Sequence, residues 1–205
     1  MVDGPITLSL SGYTPLPKGK IASVVTSLEM RRPFPAAARV SGNVPLLRRV
    51  AEPGLDWYRA LYRSIGEDWL WFSRLRMPDA ELERTLHDPA VEVYAIAGPG
   101  GEELGLVELD FREAGQCELA FFGLVPSSVG QGLGRAAMAE ALHLVEASGV
   151  ERLWVHTCTL DHPAALAFYV KSGFVPYARS IEVADDPRVT GALPRSAAPH
   201  VPIID

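Results

Sequence analysis

The chain has 205 residues, a net charge of −6 and an ordinary apolar content, so it can bury one sizeable core with room for an extension. Its acidic balance argues against a general nucleic-acid binder, and no apolar run is long enough to span a bilayer. The first residues lack a basic segment leading an apolar core, so they do not read as a signal peptide. We expect a cytoplasmic protein without nucleic-acid or membrane partners, in which Cys117 and Cys158 are buried free thiols.

Two segments near the N-terminus have the pattern of strands. Residues 20–30 are dense in β-branched side chains, and residues 46–50 form a second, shorter candidate. A stretch rich in Pro, Ala and Gly separates them. We expect the earlier strand to pair at a sheet edge, and the sequence leaves open which of the two is the first strand of the main domain.

The next segment, residues 54–75, carries six aromatic side chains. Helical spacing predicts a helix that packs on a sheet and accounts for part of them. Six aromatics in so short a span exceed what one helix face needs. The surplus indicates a second role for this segment.

Three strands follow a short helix. Met77-Pro78-Asp79 begins a helix that runs to about Leu86. Residues 91–97 alternate as a strand, a Gly-Pro-Gly-Gly turn follows, and residues 104–111 form the returning strand. The apolar run over residues 117–125 predicts a third strand, buried on both faces. We therefore expect three consecutive antiparallel strands.

A glycine cluster follows this central strand. Pro126 ends the strand, Gly130, Gly132 and Gly134 alternate with other residues, and a helical pattern begins directly afterwards. Glycines let the backbone turn tightly and let a ligand approach closely. The first amides of a helix lack partners and lie at the positive end of its dipole, so this turn predicts a phosphate site.

Spacing restricts the kind of phosphate site. A P-loop needs Gly-Lys-Ser/Thr, and Arg135-Ala136 stand there instead. Gly132, Gly134 and Ala137 do satisfy the GxGxxA pattern of a dinucleotide site. Two observations count against a dinucleotide site. A loop separates the glycines from the strand, and no acidic residue stands at the end of the next strand.

The C-terminal part continues with alternating elements. The helix after the glycines ends at Gly149, and residues 152–158 form the next strand. A helix with Pro163 in its first turn stops at Gly173, and residues 174–183 form a strand. Asp161 or His162 is the expected cap of that helix.

Two of these segments together resemble the acetyl-CoA site of the GNAT superfamily of N-acetyltransferases. Its pattern is a strand ending in V-x-P, followed by Q/R-x-x-G-x-G/A at a helix start. Val125-Pro126 and Gly132-x-Gly134 match, and Val129 stands where the family usually has Gln or Arg. The run DHPAALAFYVKSGF, ending at Phe174, resembles the family's A-x-x-F/L-Y-x-x-x-G-F segment.

The resemblance covers residues 45–183 and implies an α/β (α+β) fold. It implies a mixed, mostly antiparallel sheet, flanked by helices and splayed where the central strand and the strand at residues 152–158 diverge. Residues 1–44 would then be an N-terminal extension with one strand. Residues 184–205 would be a Pro-rich tail in which residues 201–204 could return as a last edge strand.

The same resemblance implies where two substrates bind. Acetyl-CoA, as a co-substrate, would contact the turn and the strand end, at Leu124, Val125, Val129, Gly130, Gln131, Gly132, Leu133, Gly134 and Arg135. The aromatic segment would wall the acceptor site, so the aromatic side chains that the helix does not need would form a partly apolar pocket. The residues concerned are Trp57, Tyr62, Trp69 and Trp71.

The implied activity is direct transfer of an acetyl group to a primary amine of a small molecule or peptide, with no metal. Glu118 is the expected base and Glu108 the second choice, while Tyr169 would protonate the leaving thiolate. Two other classes fit the sequence: a module that binds acyl-CoA as a regulator without turnover, and an unrelated nucleotide-binding protein. The acceptor and the oligomeric state, a homodimer included, are left open.

Overall fold

The computed structural model describes residues 7–9, 11–35 and 46–205. Within these ranges the chain forms one sheet with helices on both faces. The strands are β1 (Lys20–Arg31), β2 (Leu47–Val50), β3 (Val91–Ala97), β4 (Glu103–Asp110), β5 (Gln116–Leu124), β6 (Arg152–Cys158) and β7 (Val175–Asp185). The helices are α1 (Leu55–Gly66), α2 (Ser73–Arg76), α3 (Asp79–Leu86), α4 (Leu133–Ser148) and α5 (Ala165–Lys171). None of the helices in the described ranges is long and apolar enough to cross a membrane.

The sheet is mixed, and its strand order is β2-β3-β4-β5-β6-β1-β7. Every neighbouring pair is antiparallel except β5 and β6, which run parallel. The three consecutive antiparallel strands expected before the glycine turn are β3, β4 and β5. The expected α/β fold, with its splayed and mostly antiparallel sheet, is confirmed.

The expectation that the earliest strand pairs at a sheet edge is wrong. β1 lies between β6 and β7 and pairs antiparallel with both, so that Val25 is opposite Cys158 on one side and Ser180 on the other. Its alternation buries Leu28 and Met30 in the core under α5 and α4. β7 forms the edge instead, and most of its residues are exposed.

The C-terminal tail is held by side chains rather than by a ladder. Residues 201–204, which were expected to return as an edge strand, are not in a strand. The guanidinium of Arg188 is buried, forms an ion pair with Asp186 and donates to the carbonyls of Ala197, Ala198 and Val201. These bonds satisfy carbonyls that a β-ladder would otherwise have to pair.

Two apolar cores lie on the two faces of the sheet, because successive strand residues point to opposite sides. Met138 of α4 and Phe174 pack on one face with Val155 of β6. Tyr58 of α1 and Leu82 of α3 pack on the other face. The sheet is therefore covered on both sides.

The parallel pairing between β5 and β6 is short. It joins Gln116 to Arg152, Cys117 to Leu153 and Glu118 to Trp154, and it ends there. Both strands continue beyond this point, so they diverge as expected. A gap opens between their C-terminal ends.

A buried ion pair ties two helices to the sheet. Glu108 of β4 is fully buried and accepts a hydrogen bond from the Arg74 guanidinium of α2. The hydroxyl of Tyr58 in α1 donates to the second carboxylate oxygen at 2.5 Å. A buried charge is stable only with such partners, so this cluster fixes α1 and α2 on the sheet.

We predict that Glu108→Gln lowers the free energy of unfolding by about 3–5 kcal/mol, because the Arg74 charge remains buried without its partner. Urea denaturation measures the change. Arg48→Gln serves as the control, since the Arg48–Glu103 pair is 51% and 30% exposed and should contribute less than about 1 kcal/mol. Equal urea midpoints for the parent and Glu108→Gln would contradict the prediction.

Candidate active site

A cavity of about 750 Å³ lies at the gap between β5 and β6. Its walls come from β5, β6, the glycine turn, the first turn of α4, α5 and the segment after α1. Every one of these elements therefore reaches the point where the sheet splits.

The glycine turn presents unpaired backbone donors at one end of this cavity. Gly130 and Gly132 have φ angles of 84° and 83°, in the left-handed region that favours glycine. Gly132 precedes α4 without a side-chain cap. The backbone N–H groups of residues 130–134 donate to no atom of the described residues. With the helix dipole behind them, they form an anion site that fits a phosphate group.

Most of the residues expected to bind acetyl-CoA line this end of the cavity. They are Leu124, Val129, Gly130, Gly132, Gly134 and Arg135. Gln131 and Leu133 do not line it, and the side-chain amide of Gln131 donates to the Ser127 carbonyl at 2.8 Å. These two residues offer only their backbone amides.

Val125 has no free backbone group. Its N–H donates to the Leu104 carbonyl at 2.9 Å, and its own carbonyl accepts from the Ser128 amide at 2.9 Å. Because bonding direction alternates along a strand, the backbone groups of Leu124 and Phe122 point the other way, into the gap. Leu124, rather than Val125, can therefore pair with a ligand here.

Tyr169 lies in α5 and lines the cavity. It is 7% exposed and packs edge-on against Phe168 and Phe174. Its hydroxyl makes no hydrogen bond within the described part of the chain. Burial, and then the charge of Asp161, raise the pKa of Tyr169 well above its usual value. The phenol therefore stays protonated at neutral pH and can donate a proton.

The two candidate bases have different environments. Glu118 lines the cavity, and its Oε1 lies 3.5 Å from Nδ1 of His156. Glu108 is enclosed by Arg74 and Tyr58 and does not line the cavity. Of these two candidate bases, Glu118 is the one that borders the cavity.

Three of the four expected acceptor aromatics, Tyr62, Trp69 and Trp71, line the cavity. Trp57 does not line it, and its indole N–H donates to Glu103 at 2.6 Å. Trp71 packs against Tyr62 with ring centroids 5.3 Å apart. It also contacts Phe121, at 5.5 Å.

Two glycines make room for Trp71. A Cβ on Gly66 would lie 2.3 Å from the Cβ of Trp71, and one on Gly123 would lie 3.0 Å from its ring. The sequence analysis did not identify either residue. The signal was present, since a glycine inside an apolar strand often marks a close approach.

Asp161 or His162 was expected to cap α5, but the N-cap is Ala164 without a side-chain cap bond, and Asp161 is part of the cavity wall. Its Oδ1 accepts from the Trp71 indole at 2.9 Å. Its Oδ2 accepts from the Thr157 hydroxyl and the Cys158 amide, both at 2.8 Å. The carboxylate therefore fixes Trp71 against β6.

The two cysteines are free, as expected, but they are not equivalent. Cys117 is buried, while Cys158 is half-buried and lines the cavity. Burial, and then the charge of Asp161, raise the pKa of the Cys158 thiol. It stays protonated at neutral pH and is a poor nucleophile.

Solved structures share this fold. A GCN5-related N-acetyltransferase from Sphaerobacter thermophilus matches with a TM-score of 0.57 and 16% identity, over 80% of this chain and 52% of its own. A GCN5-related N-acetyltransferase from Kribbella flavida matches with a TM-score of 0.52 and 18% identity, over 84% of this chain and 63% of its own. The chain thus spans about half of the Sphaerobacter protein. No curated protein sequence matches it.

A family model extends the comparison to the sequence itself. The model for the acetyltransferase (GNAT) family matches residues 57–174, which is more than half of the chain. The match includes α1, the central strand, the glycine turn and α5. The chain therefore belongs to the GNAT family of acetyltransferases.

Proposed function

We propose that the protein transfers an acetyl group from acetyl-CoA directly to a primary amine of a small molecule or peptide. One observation carries the proposal. The glycine turn with its unpaired amides, at Gly130, Gly132 and Gly134, borders the same cavity as Tyr169 and Glu118. Phosphate binding, acid catalysis and amine deprotonation can therefore act on one bound pair of substrates.

The glycine turn would hold the pyrophosphate of acetyl-CoA. Five successive N–H donors and the α4 dipole provide the electrostatic attraction. Arg135, in the exposed first turn of α4, adds a positive charge at the same end. The free backbone edge at Leu124 would pair with the amides of the extended arm, which directs the thioester toward the centre of the cavity.

Tyr169 would act where the bond to sulfur breaks. As the amine nitrogen bonds to the carbonyl carbon, the C–S bond breaks and the sulfur leaves as a thiolate. The Tyr169 hydroxyl donates its proton to that sulfur. The amine nitrogen loses a second proton as the amide forms, and this proton makes up for the one that Tyr169 donates to the sulfur.

The protonated state of Cys158 supports direct transfer. An acyl-cysteine route would need a thiolate facing the cavity, and the pKa of Cys158 is raised by burial. Glu118 lines the same cavity as the aromatic side chains of Tyr62 and Trp71. A protonated amine can approach that carboxylate and place its apolar part against the rings.

We expect Gly134→Asp to weaken CoA binding at least about tenfold. The added carboxylate would lie beside the phosphate, and like charges a few ångströms apart repel by about 1–4 kcal/mol. Asp in the first turn of a helix favours the helix, so the fold should persist. Isothermal titration with CoA measures the affinity.

Gly134→Ala is the matched control for this measurement. Its Cβ would lie 3.7 Å from Phe168 and 3.8 Å from Leu124, which is ordinary contact. The control should bind CoA within about threefold of the parent. If Gly134→Asp binds as well as Gly134→Ala, the phosphate does not lie at this turn.

We expect Tyr169→Phe to lower kcat by roughly 10²-fold or more while CoA affinity holds, because only the donating hydroxyl is lost. Steady-state kinetics with any accepted amine provide the test. Tyr177→Phe is the control, since Tyr177 is 49% exposed on β7 and does not line the cavity. A Tyr169→Phe enzyme with the parental kcat, under conditions where chemistry limits the rate, would reduce Tyr169 to a packing residue.

A further inference from the structure

We propose that His156 takes the proton from the acceptor amine and that Glu118 positions and charges its ring. The inference rests on the proposed acetyl transfer and goes beyond it by assigning the proton acceptor. It makes Glu118 a positioning residue rather than the base itself. His156 belongs to none of the sequence motifs described above.

The sheet register brings the two side chains together. Glu118 is the last residue of β5 that pairs with β6, and its partner is Trp154. His156 follows two residues later, so it projects from the same sheet face as Trp154. Its Nδ1 lies 3.5 Å from Oε1 of Glu118, and both residues line the cavity.

This contact determines which ring nitrogen is available. A carboxylate only accepts hydrogen bonds, so Glu118 favours the tautomer with its proton on Nδ1. The lone pair then lies on Nε2. No bond from Nε2 to the described residues occupies it, and the His156 side chain is 51% exposed. Nε2 is therefore free to accept a proton from a ligand.

The charges around His156 favour its protonated form. Glu118 first, and then Asp161 after β6 and Glu182 on β7, raise the pKa of the imidazole, while partial burial opposes them. Two cations of the cavity wall are already paired, Arg74 with Glu108 and Arg112 with Asp110. Carboxylates thus dominate the field at the ring.

Imidazole is the better base for this step. An ammonium group titrates near pH 10 and an ordinary carboxyl near pH 4, so proton transfer from an ammonium group to such a carboxylate is far uphill. The pKa of an imidazole lies closer to that of the ammonium group, and raising the imidazole pKa reduces the difference further. The ring is still largely neutral at pH values above its pKa. The transfer from the amine to His156 balances in protons and in electrons. The electron pair of the broken N–H bond stays on the amine nitrogen, and Nε2 of neutral His156 takes the proton. The imidazolium later releases this proton to solvent.

The pH dependence of kcat/KM distinguishes proton transfer to His156 from direct proton transfer to Glu118. His156 must be neutral to accept the proton, so the rate should rise as pH climbs through the imidazole pKa. In Glu118→Gln the ring loses its nearest anion, so its pKa falls and the rising limb should move to lower pH. In His156→Gln that limb should disappear, with a loss of about 10²-fold at neutral pH that narrows as free amine accumulates.

Proton NMR of the imidazole rings tests the pair without turnover. The chain has five histidines, and the His156 resonance is the one that His156→Gln removes. Its titration midpoint should fall in Glu118→Gln, because the largest cause of the raised His156 pKa is removed. His87→Gln is the control, because His87 contacts the Pro53 carbonyl and does not line the cavity. It should leave both the midpoint and the pH–rate profile unchanged.

Any of three results would overturn the proposal. The first is a His156→Gln profile that overlays the parent. The second is loss of the limb in Glu118→Gln alone. The third is a His156 midpoint that does not move in Glu118→Gln. Failure of the acetyl transfer itself is distinct, because the parent enzyme would then release no CoA with any amine although it binds CoA.

Discussion

The structure depends on the early end of the pairing between β5 and β6. Each of these strands is held on its other side, β5 by β4 and β6 by β1, so the divergence does not loosen the sheet. It does leave backbone donors and acceptors along one edge of each strand without a ladder partner. Backbone groups in that position favour any ligand that can pair with them. The splay is therefore both the opening of the cavity and part of its binding surface.

Burial sorts the carboxylates of this region into two kinds. Glu108 is enclosed with Arg74 and Tyr58, so its charge serves to hold helices on the sheet. Asp161 accepts three hydrogen bonds and fixes Trp71 and the end of β6. Glu118 contacts His156 and remains partly exposed. Residues of one chemical type thus have separate roles because their partners differ.

Local patterns predicted most of the elements but not their neighbours in the sheet. The alternation of β3 and the apolar run of β5 are properties of short segments, and the glycine turn requires φ values that only glycine adopts easily. The place of β1 depends on pairing with strands far along the chain, and no local pattern reports it. The same limit applies to the aromatics. Trp57 and Trp71 look alike in sequence, and only the hydrogen bonds to Glu103 and Asp161 separate them.

Site residues followed the same rule. The phosphate turn and Tyr169 lie in continuous motifs, so the resemblance to known acetyltransferases located them. His156 belongs to no motif, because its meeting with Glu118 arises from the register of two parallel strands. Gly66 leaves space for Trp71, Gly123 leaves space for Ile65 and Trp71, and no local pattern reports these neighbours. Contacts across the sheet, rather than residue types, carry this part of the site.

The position of β1 also determines the order in which the sheet can form. β1 is synthesised before the strands it separates, yet its pairing partners lie near Cys158 and Ser180. On the ribosome, the half-sheet from β2 to β5 can close from neighbouring segments as they emerge. β1 has to wait until β6 and β7 have been made, and closing that long loop carries an entropy cost. Its apolar residues stay exposed meanwhile, so this late pairing is the step most open to aggregation.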